Sequence, residues 1–150
     1  MKMVTTLFAT LLPIALAITT GCGHDDEPPI PANDGQEGIE MVVGEYVFPL
    51  TCYDNSTAEA FRSMLPITIE MSDLHGNEKY HYLSSTLPTN TMHPDTIHRG
   101  DIMLYGNNCI VVFYKTFATS YAYSPIGRLD DVEQLETALG TGEVTVMFKK

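Results

Sequence analysis

Ile67, Ile69 and Met71 alternate with Thr68, Glu70 and Ser72, a period of two that predicts a strand with one buried face. The same alternation runs through "YVFPLTC", with Tyr46, Phe48, Leu50 and Cys52 on one side and Val47, Pro49 and Thr51 on the other. "IEMVV" precedes it across Gly44 and reads as its hairpin partner. Pro49 has no N–H to give to a ladder, so it is expected at an edge or a bulge. Further strands are predicted at "EKYHYL", "DIMLYG", "CIVVFYKTF", "SYAYS" and "EVTVMFK". "CIVVFYKTF" is almost wholly apolar and is placed at the centre of the sheet. His75-Gly76-Asn77 reads as a turn, and residues 84–98 as a long connection carrying Pro88 and Pro94, either functional or loose.

Two stretches change period. In "STAEAFRSML", residues 56–65, Ala58, Phe61 and Leu65 recur at helical spacing, while Glu59, Arg62 and Ser63 face away. Ser56 and Glu59 have capping-box spacing, and Pro66 ends the helix. So short a helix is not stable alone, so its Phe61 face must dock on something larger. "DVEQLETAL" predicts a second helix, capped by Asp130, burying Val132, Leu135 and Leu139 and stopping at Gly140. Many short strands with two short helices predict a mainly β fold, a closed barrel or a sandwich, and helices with single apolar faces suit the open ends of a barrel.

The N-terminal part follows other rules. Lys2 opens the chain and an apolar run from Met3 to Ile18 follows, the pattern of a signal peptide. Thr20-Gly21-Cys22 resembles a bacterial lipoprotein cleavage box, with Thr19 where leucine is usual. Residues 1–21 are therefore expected to be a lipoprotein signal peptide, with Cys22 lipidated and anchoring the protein to a membrane. Residues 22–38, "CGHDDEPPIPANDGQEG", hold acids, Pro and Gly with nothing to fill a core, and read as an acidic disordered tether. Acids directly behind a lipidated cysteine resemble the surface-export signals of Bacteroidetes lipoproteins. The expected location is extracytoplasmic, lipid-anchored to a bacterial membrane, the outer one. Residues 39–150 then make one domain, large enough to bury about two-thirds of its unfolded surface.

The chain carries 19 acidic residues against 8 basic ones, a formal charge of −11. Removing residues 1–21 takes away one lysine and no acid, so the charge moves to −12. Such a surface argues against nucleic acid and against polybasic adhesion to anionic lipid. Cys52 and Cys109 sit in apolar strand contexts and read as buried thiols, with a bridge left open because it depends on geometry. His93, Asp95 and His98 form no second paired cluster, so no metal site is read, and no phosphate loop, nucleophile elbow or other cofactor motif occurs.

"STAEAFRSML" resembles the first helix of cyclophilins, P-x-T-A-E-N-F-R-x-L, through Thr57, Ala58, Glu59, Phe61, Arg62 and Leu65, with Ala60 replacing asparagine. "GDIMLYGNNCIVVFY" is similar to G-x-L-S-M-A-N followed by S-Q-F-F-I, in shortened form. "SPIGRLDDVEQLETAL" is similar to V-F-G-K-V-x-x-G-x-x-V-V-x-x-I-E, with Gly127-Arg128 at the Gly-Lys pair. Small bacterial cyclophilin-like proteins share Tyr53-Asp54-Asn55, Leu65-Pro66, Glu78-Lys79 and Leu87-Pro88 in that order. The resemblance covers residues 39–148. It implies a closed antiparallel β-barrel of about eight strands, with a short helix capping each end and the Phe61 side of the first helix acting as a plug.

Cyclophilins speed rotation about X–Pro bonds, whose partial double-bond character sets a barrier of about 20 kcal/mol. An arginine in F-H-R-x-x-x-x-F-M-x-Q-G-G-D is held to hydrogen-bond the prolyl nitrogen. By chain order that motif falls near "EKYHYLSSTLP", which has no arginine, no Phe-Met and no Gln-Gly-Gly-Asp. The Phe-Phe positions are taken by Val111 and Val112, with Phe113 offset. The resemblance therefore implies a binding domain without efficient prolyl isomerase activity; the alternative is a divergent isomerase whose donor is Arg99 in "IHRGD". In such a barrel Tyr80, Tyr82, Tyr105, Tyr114, Tyr121 and Tyr123 are expected to border one face, offering apolar area with a hydrogen-bonding tip. The expected ligand-binding set is Tyr80, Tyr82, Tyr105, Asn107, Asn108, Phe113 and Tyr121. The expected partner is a peptide or a small molecule, and the expected assembly a monomer.

Overall fold

Alternation of apolar and polar positions becomes strand after strand, and the sheet they form closes on itself. The computed structural model describes residues 38–150. The signal segment 1–21, Cys22 and the tether as far as residue 37 lie outside the described residues. The elements run β1 (Ile39–Val43), β2 (Tyr46–Cys52), α1 (Ser56–Ser63), β3 (Ile67–Leu74), β4 (Glu78–Tyr82), β5 (Thr96–Ile97), β6 (Asp101–Tyr105), β7 (Cys109–Phe113), β8 (Phe117–Ala118), β9 (Ser124–Leu129), α2 (Leu135–Leu139) and β10 (Val144–Lys149). Eight of the strands close into an antiparallel barrel in the order β1-β10-β3-β4-β7-β6-β9-β2, and β5 pairs with β8 outside it. Closure removes the sheet edges that an open sheet would leave unpaired.

The barrel interior holds Met41, Phe48, Leu50, Ile69, Met71, Ile102, Leu104, Ile110, Val112, Val146 and Phe148. Phe61 of α1 enters the same core, fully buried, with its ring edge-on to Phe148 at 5.2 Å between centroids. Leu135 and Leu139 of α2 join it too. β2 runs into α1 and its antiparallel neighbour β9 runs on toward α2, so the helices stopper opposite ends. A second core lies on the outer wall: Ile97, Met103, Cys109, Val111, Phe113 and Tyr123. β7 is therefore buried on both faces, which is why all five of its residues are apolar. In the connection after β4, Leu83 and Leu87 join the interior core and Ile97 the outer one, with Thr57 Oγ1 donating to Pro88 O at 2.8 Å.

Several local expectations are corrected. The N-cap of α1 is Asn55, whose Oδ1 accepts from the Ala58 amide at 2.9 Å; Ser56 is exposed and plays no capping part. Leu65 is only half-buried, and Thr57 is buried in addition to Ala58 and Phe61. α2 begins four residues later than the sequence pattern indicates. Asp130 is drawn away from it, its amide donating to Pro49 O at 2.9 Å and its Oδ1 accepting from Thr51 Oγ1 at 2.8 Å. Val132 is half-buried ahead of the helix. "SYAYS" is not a strand: Tyr123 makes one isolated bridge to Met92, and the strand starts at Ser124. Tyr46 is exposed although its alternating partners Phe48, Leu50 and Cys52 are buried. Pro49 lies in a closed barrel but beyond the last β2–β9 pair, Leu50↔Leu129, so its missing N–H faces no ladder.

In β9 an extra residue, Ile126, is inserted between the pairs Ile102↔Gly127 and Met103↔Pro125. This bulge buries Ile126 and leaves its carbonyl to accept from the Tyr53 amide at 3.0 Å. Beside it, a Cβ on Gly127 would stand 2.5 Å from Thr51 O and 3.0 Å from Cys52 Cα, so only glycine lets β9 approach β2 here. Cys52 belongs to the barrel interior and Cys109 to the outer wall; both are buried free thiols.

Candidate functional site, a tyrosine cleft on the outer wall

Strand alternation divides β4 into opposed sets. Lys79 points inward, where it is fully buried, donates to Gly142 O at 2.7 Å and pairs with Asp73 at 2.9 Å. Glu78, Tyr80 and Tyr82 point outward, opposite Phe113, Val111 and Cys109 of β7. Tyr105 of β6 also pairs with Cys109, which brings it to the same patch of wall. The segment from Phe117 to Tyr123 crosses this patch, held by the β5–β8 pairs and by the Met92–Tyr123 bridge.

Between them lies a cleft of about 570 Å³, lined by Glu78, His75 and Asn77 at one end and by Tyr80, Tyr82, Tyr105, Tyr121 and Tyr123 along its length. Its floor is Cys109 and Val111. Tyr80 and Tyr82 meet at 77° and 5.9 Å, and Tyr105 and Tyr121 at 89° and 6.1 Å. In such edge-to-face pairs the positive edge of one ring meets the negative face of the other. Tyr82 and Tyr121 form the rim, each 61% exposed, while Tyr123 is buried against Phe113.

The electrostatics of the cleft rest on one carboxylate. Burial pushes the Glu78 carboxyl above its usual range; His75 opposes the shift and the Asp73 charge adds to it. Burial, reinforced by the Glu78 charge, raises Cys109 to about 11 and Tyr123 to about 12. The thiol and that phenol are therefore uncharged at neutral pH, and Cys109 is no ready nucleophile. No lysine or arginine lines the cleft.

A second depression, about 530 Å³, lies across the wall, lined by Tyr53, Asn55, Met92, Met103, Pro125 and Arg128 among others. At its base Asp101 is almost completely buried; it accepts from Arg128 Nε at 2.7 Å and from the His98 amide at 2.8 Å. The Arg128 side chain is half-exposed.

The barrel has counterparts elsewhere. The model of the Cyclophilin-like family matches residues 41–149, from within β1 to the end of β10. The chain belongs to the cyclophilin-like family. Its barrel is similar to the solution structure of a hypothetical protein from Archaeoglobus fulgidus, with a TM-score of 0.50 and 16% identity over 77% of this chain and 98% of the other. That likeness bears on the fold alone. No curated protein matches the sequence.

In this cyclophilin-like barrel, four of the residues read from the sequence as ligand-binding come together: Tyr80, Tyr82, Tyr105 and Tyr121 line one cleft. Asn107 and Asn108 do not line it. They form the β6–β7 turn, where Asn107 O accepts from the Leu87 amide at 2.8 Å, and Asn108 both accepts from the Leu83 amide and donates to Leu83 O. Phe113 is fully buried behind the floor, against Phe117 and Tyr123. Tyr114 does not border the cleft: it turns to the interior end, where its hydroxyl donates to Asp73 Oδ1. Arg99 lies outside both depressions, its guanidinium donating to Glu133 O at 3.1 Å. Sequence reasoning missed Glu78, His75 and Arg128. Glu78 was legible only as the outward neighbour of an inward lysine, a distinction that needs the strand's facing to be known.

Proposed function

We propose that this member of the cyclophilin-like family is a lipid-anchored, extracytoplasmic binding protein that takes a peptide or small ligand in its tyrosine cleft and lacks efficient prolyl isomerase activity. The observation that carries the reading is the cleft itself: five tyrosines around one opening, with no guanidinium to donate to a prolyl nitrogen. Aromatic walls with a few polar groups at one end are the usual make-up of a ligand site. The signal pattern and Cys22 support the anchor, and the acidic tether supports a domain held clear of the lipid surface. Nothing in the reading needs a second copy, and the working assembly is a monomer.

A protease-coupled assay on an Ala-Pro peptide tests the non-enzymatic part; the expected rate is the uncatalysed background, and catalysis well above it overturns the reading. Amide-shift mapping by NMR against a library of neutral peptides and small aromatics tests the binding part, with shifts expected on β4, β6 and residues 117–123. Fatty-acid labelling that is lost in Cys22→Ser tests the anchor.

One observation favours a second reading, a divergent isomerase. Arg128 stands beside Met92, Met103 and Pro125 in the second depression, an arginine next to apolar surface. Arg99, the donor read from the sequence, is turned to Glu133 O instead. If the peptide assay shows catalysis, Arg128→Ala should abolish it and Arg99→Ala should not.

A further inference from the structure

We infer that the tyrosine cleft selects an organic cation of the alkylated ammonium class, held by ring faces and by the Glu78 carboxylate. The inference rests on the reading of the cleft as a ligand site and adds the chemistry of the ligand. Three features of the wall lead to it.

The first is the choice of side chain. Tyr80, Tyr82, Tyr105, Tyr121 and Tyr123 surround the opening, and two of the pairs meet near right angles. A ring face carries the negative lobe of its quadrupole, so a space lined by five tyrosine rings favours a cation that can seat on them. The second is the placing of charge. Glu78 and Lys79 are neighbours in β4, yet alternation sends the lysine inside to Asp73 and Gly142 O and the carboxylate outside to the cleft. Among the described residues no salt bridge engages Glu78. A carboxylate that is partly desolvated and unpaired gains most from an opposite charge. The third is the absence of competition within the lining: His75 is the one side chain there that can become positive, and the molecule as a whole carries −11.

An inorganic ion fits less well. Calcium and magnesium take six or more oxygen ligands, and this lining offers one carboxylate. A weakly hydrated ammonium with methyl substituents matches both the rings and the single charge. The cleft, at about 570 Å³, has room for such a head group and for whatever bears it, a small free molecule or a peptide side chain.

The test uses the purified chain, titrated calorimetrically at mildly alkaline pH. The probes are choline, its uncharged carbon isostere 3,3-dimethyl-1-butanol, and a short peptide carrying trimethyl-lysine. Choline is expected to bind at least roughly ten-fold more tightly than the isostere, within the range of several ring contacts. Glu78→Gln and the rim change Tyr82→Leu, which keeps apolar bulk and removes a ring, should each weaken choline several-fold and leave the isostere unchanged. Choline binding more tightly than the peptide assigns a free cation, and the reverse a modified side chain. Equal binding of choline and the isostere overturns the cation claim while the cleft remains a binding site. Binding of neither cationic probe also overturns it, and only silence of the neutral library as well brings down the cleft reading. An unchanged choline-to-isostere ratio in Glu78→Gln, with circular dichroism intact, removes the carboxylate from the account.

Discussion

Lys79 is a fully buried ammonium held by Asp73, Gly142 O and the face of Tyr114, with 5.6 Å from Nζ to the ring centroid. Asp73 retains some exposure, so the two ends of the pair are not equivalent. Asp73→Asn leaves a buried charge without its counter-ion and should cost about 3–5 kcal/mol by chemical denaturation, whereas Lys79→Met should cost less, because Asp73 keeps water and the Tyr114 hydroxyl. Asp73 is held below its ordinary range first by the Tyr114 hydrogen bond and then by Lys79. Its stabilisation is therefore complete above the ordinary aspartate range and lost as pH falls toward the lowered value, so Asp73→Asn should flatten the acid limb of the stability profile. Glu78 has the opposite sign. Its carboxyl is raised by burial, so the folded state favours the protonated form and stability falls as pH rises through the raised value. Glu78→Gln should therefore melt higher than the parent near neutral pH, with the difference vanishing in acid. A stability gain on removal is what a charge kept for binding should show. The residues "EK" were legible in the sequence; that one serves the core and the other the wall was not, because facing is fixed by register with β7.

At the scale of elements, the first helix was legible from its first residue to within two of its last, and its cap was not. Asn55 and Ser56 are both good N-caps, and the choice falls to Asn55 because its Nδ2 also donates to Pro125 O at 3.0 Å, a tertiary tie that no local pattern contains. Asn55→Ala should cost about 1–2 kcal/mol for that reason. Phe61, read as a plug, is buried against Phe148, and Phe61→Ala should cost about 3–5 kcal/mol. Gly127→Ala should cost about 1–3 kcal/mol, since its Cβ meets β2 backbone that cannot yield without opening the barrel. "SYAYS" misled because tyrosines at alternate positions imitate a strand, whereas here they serve the outer wall and the pairing begins only at Ser124.

The whole molecule is a barrel with two cores, and only one of them announces itself in the sequence. The interior follows from alternating strands and two apolar helix faces; pattern alone left barrel and sandwich both open, and the resemblance to cyclophilins pointed to the barrel that is observed. The outer core was not legible, and its cleft only as the tyrosine-bearing face that the resemblance implied. They are assembled from β4, β6, β7 and the 117–123 segment, which are far apart in the chain and carry no shared motif. The eight tyrosines of the chain supply their own control: five line the cleft, while Tyr46, Tyr53 and Tyr114 lie elsewhere. NMR spectra of the chain labelled only in its tyrosine rings, recorded during titration with the ligand library, therefore test the central claim directly. The account predicts movement of Tyr80, Tyr82, Tyr105, Tyr121 and Tyr123 with the other three fixed. Movement confined to Tyr53, beside Arg128, or to no ring at all would contradict it.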